Sequence, residues 1–198
     1  MSDTLTNRQL ADLLHNNVQE YNGYRGRHSE QEIDFSDCDF SNAKLQGANL
    51  DCVILNRTKF CNAELYRTTF SAAKGNQTNF EGACCEETIF SEAELHDALF
   101  CNAFCNGASF MDGRFPGALF IEAECMATRF TDAELSFVSF DGADLSEACL
   151  SGADVTNAVF TDAVIRTTNF AGAKGLDARV KLRVIAYLIE GWQEEVCE

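Results

Sequence analysis

The run Ala93-Glu94-Leu95-His96-Asp97-Ala98-Leu99-Phe100-Cys101-Asn102-Ala103-Phe104-Cys105-Asn106-Gly107 decides the fold. Leu95, Phe100 and Cys105 stand five residues apart, and each follows an alanine by two positions. Outward from this stretch the count holds back to Phe35, Phe40, Leu45 and Leu50 and forward to Phe160, Ile165 and Phe170. From Ile33 to Gly175 the register is kept through twenty-nine consecutive pentads.

A period of five fits neither the 3.6-residue helical repeat nor the alternation of an ordinary strand, so it describes an architecture of its own. Within each pentad the small and the large residue point inward, and the other three, mostly Asp, Asn, Glu, Ser, Gly and Arg, point to solvent. A second period, of twenty, sets the number of sides. Phe40, Phe60, Phe80, Phe100, Phe120, Phe140 and Phe160 form one column, and Leu50, Phe70, Phe90, Phe110, Phe130, Leu150 and Phe170 form the column ten residues out of phase. Four pentads therefore make one turn. At about 4.8 Å between neighbouring strands, about seven coils give a rod on the order of 34 Å long.

In these residues the chain resembles the pentapeptide-repeat family, whose motif is a small residue, a polar residue, Leu or Phe, and two variable positions. The resemblance implies an all-β solenoid, a right-handed quadrilateral β-helix, over residues 31–176. The handedness comes from the resemblance and not from the periods. Relatives that bind DNA topoisomerases often carry loops that interrupt the repeat, whereas here the coils run from Gln31 to Gly175 without an insertion.

Acids outnumber bases by 31 to 15, a formal net charge of -16, which argues against direct nucleic-acid binding and favours a basic partner. Within the coils the richest wall carries Glu64, Glu86, Glu87, Glu124, Asp144 and Glu147. The ten cysteines do not read as a disulfide framework. By register Cys38, Cys85, Cys105 and Cys125 point inward and Cys52, Cys61, Cys84, Cys101 and Cys149 outward, so reduced thiols are expected. Met1-Ser2-Asp3-Thr4 does not open a signal peptide and no apolar run approaches a membrane span, so a soluble, cytoplasmic protein without membrane contact is expected.

Residues 1–30 read as a cap and junction. Thr6 and Gln9 have capping-box spacing, and Leu10, Leu13, Leu14, Val18 and Tyr21 form the stripe of a single amphipathic helix that covers the first coil. At the other end, 177–198, Asp177 opens a helix with a wide apolar face. The helix reads as a second cap, over the last coil, and Val184, Leu188 and Trp192 on that face offer a contact for a tail-to-tail homodimer, as in some relatives. Two irregularities are expected inside the rod. Gly75 faces Cys85, both small, where a cavity or a bend is expected, and Pro116 should remove one ladder donor.

The search for chemistry returns no catalytic, cofactor or metal set. His96 has Asn76 and Pro116 above and below it in its column, and no exposed cysteine has a histidine in the adjoining coils of its own column. What departs from a bland surface is a group of outward apolar residues on the fourth to sixth coils: Leu99, Cys101, Leu119 and Ile121 on one wall, and Phe104 and Met126 on the next. The sequence thus predicts a non-catalytic, rigid scaffold that presents an apolar patch in an acidic wall to a protein partner. The alternative implied by the family is an acidic DNA mimic that binds a type II topoisomerase such as gyrase.

Overall fold

In the middle coils four of the five backbone N–H groups of a pentad have a backbone destination, and these bonds make the coil. The computed structural model describes residues 4–195, with side chains as far as residue 186. In the pentad centred on Phe80, that residue donates to Leu99 O on the next coil (2.7 Å) and Gly82 to Cys101 O (3.0 Å). Ala83 closes the turn onto Phe80 O (3.0 Å), and Cys84 reaches back to Ala63 O on the preceding coil (2.9 Å). The fifth N–H, of Glu81, takes a side-chain acceptor, Asn79 Oδ1 at 2.8 Å.

Repetition of this scheme pairs residue n with residue n + 20 in parallel on four walls. The first wall carries Lys59, Asn79, Leu99, Leu119, Ser139 and Val159, and the second Glu64, Cys84, Phe104, Glu124, Asp144 and Val164. Thr69, Ile89, Ser109, Arg129, Cys149 and Asn169 line the third, and Ile54, Glu94, Arg114, Glu134, Asp154 and Lys174 the fourth. The fourth wall holds the two regular strands, β1 (Lys74–Asn76) and β2 (Glu94–His96). Walls meet at the second residue after each large one, where the chain enters the left-handed region, with φ from 51° to 63° at the non-glycine corners.

Inside, the two phenylalanine columns stack along the axis. Successive rings from Phe40 to Phe160 lie 4.6–5.4 Å apart, and Phe70, Phe90, Phe110 and Phe130 repeat the arrangement at 4.8–5.0 Å. The columns meet edge to face at 5.3–5.6 Å. Each buried ring contributes about 2–3 kcal/mol of transfer free energy. Where threonine replaces the small alanine, at Thr58, Thr68, Thr78, Thr88, Thr128 and Thr168, its buried hydroxyl donates to a carbonyl twenty-three residues earlier at 2.7–2.8 Å. No polar group is stranded by that exchange.

Three expectations are corrected. The space beside Gly75 is filled and not a cavity: a Cβ there would lie 2.6 Å from Thr78 Oγ1 and 3.0 Å from the Leu55 backbone, and β1 is regular. Pro116 removes no ladder bond, because its place in the pentad is the one whose N–H seeks a side chain, and Arg114 and Glu134 stay paired around it. The irregular residue on that coil is Gly113, which stands where alanine is usual because a Cβ would meet the Phe115 ring at 2.4 Å. The third correction is at the N-terminus, where the expected single helix is two.

These two helices are α1 (Asn7–Asn16) and α2 (Val18–Arg27). The Thr6/Gln9 capping box forms, but Asn17 leaves the helical region (φ -154°, ψ 88°) and caps α2 through Glu20 N at 3.1 Å. From α2 the Asn22 side-chain Oδ1 accepts from Asn49 N (2.8 Å), and Arg25 donates to Asp51 O (2.6 Å). At the other end α3 (Ala178–Glu195) starts on Asp177, whose carboxylate accepts from Val180 N at 2.8 Å. Arg183 donates to Phe160 O at 2.9 Å and to Ala163 O. Each end of a parallel coil leaves both N–H and C=O groups without a next rung. Asn22 supplies an acceptor and Arg25 a donor at the first end, and Arg183 supplies donors at the last.

Val180 is buried and Val184 half-buried against the last coil, with a cavity of about 570 Å³ between that coil and α3 lined by Phe170, Leu176, Lys181, Val184 and Ile185. The side chains of Leu188 and Trp192 lie outside the described residues. Among the described residues no helix is long and apolar enough to cross a membrane.

Candidate functional site

The apolar residues singled out from the sequence fall on two walls that share one corner. Leu99 and Leu119 are partners in the first-wall ladder, both half-buried, and Cys101 Sγ lies 4.0 Å from Leu119 O. Ile121 O accepts from Asn102 N at 2.9 Å, and Asn102, with φ 56°, turns the chain from the first wall to the second. Phe104 follows, bridged to Cys84 and Glu124 and 40 % exposed. Met126, 44 % exposed, is held by its N–H to Asn106 Oδ1 at 2.9 Å. The surface is therefore built from short, doubly hydrogen-bonded rungs and has no loop to order on contact.

Three further residues extend it. Val159 continues the Leu99–Leu119 ladder, Val164 continues that of Phe104, and both are exposed. Phe137 stands at the corner that leads into the first wall, 65 % exposed and with φ 59°. The left-handed region costs a bulky residue about 1–2 kcal/mol and suits Gly, Asn or Asp. The signal for Phe137 was present in the sequence as an aromatic residue on the corner count, where small and polar residues dominate.

Charge separates the walls as well. The ion pairs among the described residues are Lys44–Glu64, Arg57–Asp37, Arg67–Glu87, Lys74–Glu94 and Arg114–Glu134, and none touches the apolar corner. Between Arg67 and Arg166 the bases are Lys74, Arg114 and Arg129, on the fourth and third walls. The first and second walls carry no Lys or Arg over that span. Their acids include Glu81, Glu122, Glu124, Asp141, Asp144 and Asp162.

The thiols divide by depth. Cys85, Cys105 and Cys125 are buried in one column, where the hydrogen bond to Cys105, and then burial, push the Cys125 thiol well above its ordinary value. Cys38, inward by register, is half-buried in the first coil. Burial likewise raises Cys101 and Cys84. Cys149 on the third wall moves the other way, lowered by its contacts with Ser151 Oγ (3.2 Å) and Thr131 Oγ1 (3.4 Å). Among the described residues no group of three His, Cys, Asp or Glu side chains is placed to hold a metal ion.

The model of the pentapeptide repeats matches in eight copies, over residues 31–71, 114–146, 123–162 and 139–174, together just over half of the chain. The chain belongs to the pentapeptide-repeat family. Its fold is accordingly the right-handed quadrilateral β-helix of that family, with short helices at both ends. Among solved structures it is similar to a trypsin-treated QnrB1, described as a plasmid-mediated fluoroquinolone resistance protein, at 21 % identity over 80 % of this chain and 89 % of that one, TM-score 0.41. It is also similar to HetL of the cyanobacterium Nostoc, a pentapeptide-repeat protein involved in heterocyst differentiation regulation, at 18 % identity over 73 % and 88 %, TM-score 0.26. Rfr23, a pentapeptide-repeat protein of the cyanobacterium Cyanothece, is 16 % identical over 78 % and 97 %, TM-score 0.22. All are remote in sequence and in superposition, so the assignment rests on the repeat and on the family model. Among curated proteins none matches the chain.

Proposed function

We propose that this pentapeptide-repeat protein is a non-catalytic, rigid scaffold that holds a protein partner on the corner between its first and second walls. The observation that carries the reading is the apolar surface of Leu99, Leu119, Ile121, Phe104 and Met126, with Phe137 at the other edge of the first wall, 65 % exposed where its backbone is strained. Exposed large apolar residues on a flat, preordered wall cost little entropy to bury and serve as anchors. In a reducing cytoplasm the outward thiols would remain free and leave the walls unlinked. The test is affinity capture from the source cell's lysate with wild type and with Leu119→Asp plus Ile121→Asp, followed by photo-crosslinking from position 126. A partner that crosslinks there and is lost from the variant supports the reading; a catch unchanged by the substitutions refutes it.

The absence of bases on these walls between Arg67 and Arg166 supports a second reading, an acidic DNA mimic that occupies the DNA-binding saddle of a type II topoisomerase such as gyrase. B-DNA would present about 20 charges over a rod of about 34 Å. The coils hold 21 acids and 9 bases spread over four walls, and apolar side chains interrupt the richest stretch, which places this reading second. A supercoiling assay with purified gyrase separates the two: inhibition that persists in the Leu119→Asp, Ile121→Asp protein favours the mimic. For α3 we read a second task besides capping, pairing with another copy through the face that carries Val184, Leu188 and Trp192, next to the exposed Leu182 and Ile185.

A further inference from the structure

We infer that the partner element this corner takes is an amphipathic helix with a cationic margin, laid along the rod axis. The inference rests on the scaffold reading above and adds the chemistry of the occupant. Its first ground is charge. Glu81, Glu122, Glu124, Asp141, Asp144 and Asp162 surround the apolar residues, and no Lys or Arg stands on either wall between Arg67 and Arg166. Glu124 and Asp144 do have hydrogen bonds, from Asn106 Nδ2 (3.2 Å) and Ser146 N (2.9 Å), but these are neutral donors that leave the negative charge uncompensated. Uncompensated carboxylates round an apolar centre disfavour an acidic or neutral apolar partner and favour Lys and Arg at its rim.

The second ground is spacing. Leu99 and Leu119 sit on consecutive rungs, and Val159 lies two rungs beyond Leu119. Coils repeat at about 4.8 Å, and an α-helix presents one residue to a given side about every 5.4 Å. The mismatch is about 0.6 Å per rung, so a helix parallel to the axis keeps its apolar stripe over the ladder for several turns. An added β-strand has no such place, because the wall's backbone donors and acceptors are already paired to the coils above and below. The corner between the walls lets Ile121 and Phe104 flank the stripe; Glu122 stands on that corner, Glu81 and Asp141 share the column of Ile121, and Glu124 and Asp144 share the ladder of Phe104, on the side of the stripe where i, i+3 and i+4 basic residues would project.

The test uses the full-length protein and a synthetic Leu/Lys helical peptide of about 14 residues, four turns long, with two controls: the same peptide with Glu for Lys, and one that keeps Lys but has Ser for Leu. Binding is followed by calorimetry and by amide chemical shifts. The inference expects saturable binding of the Leu/Lys peptide, with shifts centred on residues 99–104 and 119–126, and none of the Glu peptide. It expects about tenfold weaker binding after Phe104→Ser with Ile121→Ser, which leaves the net charge alone, and again after Glu122→Gln with Glu124→Gln. Ile89→Ser on the third wall should change nothing. The inference is overturned if the apolar substitutions leave affinity unchanged, if the Ser peptide binds as well as the Leu peptide, or if the shifts spread over all four walls. A crosslinked cellular partner whose contacting segment lacks Lys and Arg, or a second copy of this chain on the corner, also overturns it while leaving the scaffold reading intact. Loss of the scaffold reading in the capture experiment with continued peptide binding at the corner separates the two in the other direction.

Discussion

Phe100 and Asn102 are two residues apart on one coil and live in opposite environments, the one fully buried between the Phe80 and Phe120 rings, the other on a corner with φ 56°. Phe100→Asp therefore buries an unpaired carboxylate and should unfold the protein, whereas Asn102→Asp, which tolerates the left-handed region, should shift stability by less than about 0.5 kcal/mol. Urea titration of both variants checks this, and equal midpoints would contradict the register. Which way a side chain points was legible in the sequence because the five-residue count assigns it. What a buried threonine does was not, since its acceptor lies one coil and three residues away: Thr88 Oγ1 donates to Leu65 O at 2.7 Å. Thr88→Val keeps the shape and removes the bond, and should cost about 1 kcal/mol in the same titration. Thiol reactivity gives a third residue-scale test. Contacts with Ser151 and then Thr131 lower Cys149, so more of it is thiolate at a given pH than of Cys101, which burial raises. Alkylation of Cys149 by iodoacetamide should thus begin at lower pH than that of Cys101, and Ser151→Ala with Thr131→Val should move its profile upward.

At the scale of elements, the ends show where the sequence is readable and where it is not. The capping box of α1 and the Asp177 cap of α3 are local signals, three residues from donor to acceptor, and both form. The break at Asn17 was hidden because the apolar stripe Leu10, Leu14, Val18, Tyr21 runs through it without a change of period, while Asn17 exchanges one helical position for a cap on α2. Arg183 was hidden for another reason. Its partners are backbone atoms at the open end of the last coil, Ala163 O, which has no next coil to accept from, and Phe160 O, which also takes the turn bond from Ala163 N, and no side-chain pattern marks them. Arg183→Met keeps much of the apolar stem and leaves two carbonyls short of a donor. It should cost about 1–3 kcal/mol locally, seen as faster amide exchange in residues 160–175 with the exchange of residues 60–120 unchanged. Exchange that rises along the whole rod would mean that the last coil is not an independent end, contrary to the nearest-neighbour behaviour of a solenoid. The candidate site divides in the same way: the ladder residues Leu99 and Leu119 follow from the count of twenty and Phe137 falls on the corner count, but its 65 % exposure follows from the left-handed backbone there, which the count does not supply.

For the whole molecule, the question is whether the rod ends at its C-terminal cap or continues into a second copy. The helix α3 has more apolar surface than the last coil takes up: Val180 is buried and Val184 partly so, but Leu182 is 67 % and Ile185 52 % exposed, beside the cavity that Phe170 and Leu176 line. A net charge of -16 on each chain opposes pairing in general, yet the first turns of α3 carry Arg179, Lys181 and Arg183 against five acids in residues 177–198, so the repulsion at this end is small beside that of the coils. A two-fold contact of α3 with its copy buries the same residues on both sides and closes the assembly at two chains. The wild type is therefore expected to sediment as a dimer at tens of micromolar, and more completely at higher salt, where the residual like-charge repulsion is screened. Leu182→Glu with Ile185→Glu should return it to a monomer, as should Leu188→Glu with Trp192→Glu, each with the far-ultraviolet circular dichroism of the rod retained. Sedimentation equilibrium at low and at high salt decides the matter. A wild type that remains monomeric under both conditions assigns α3 to capping alone.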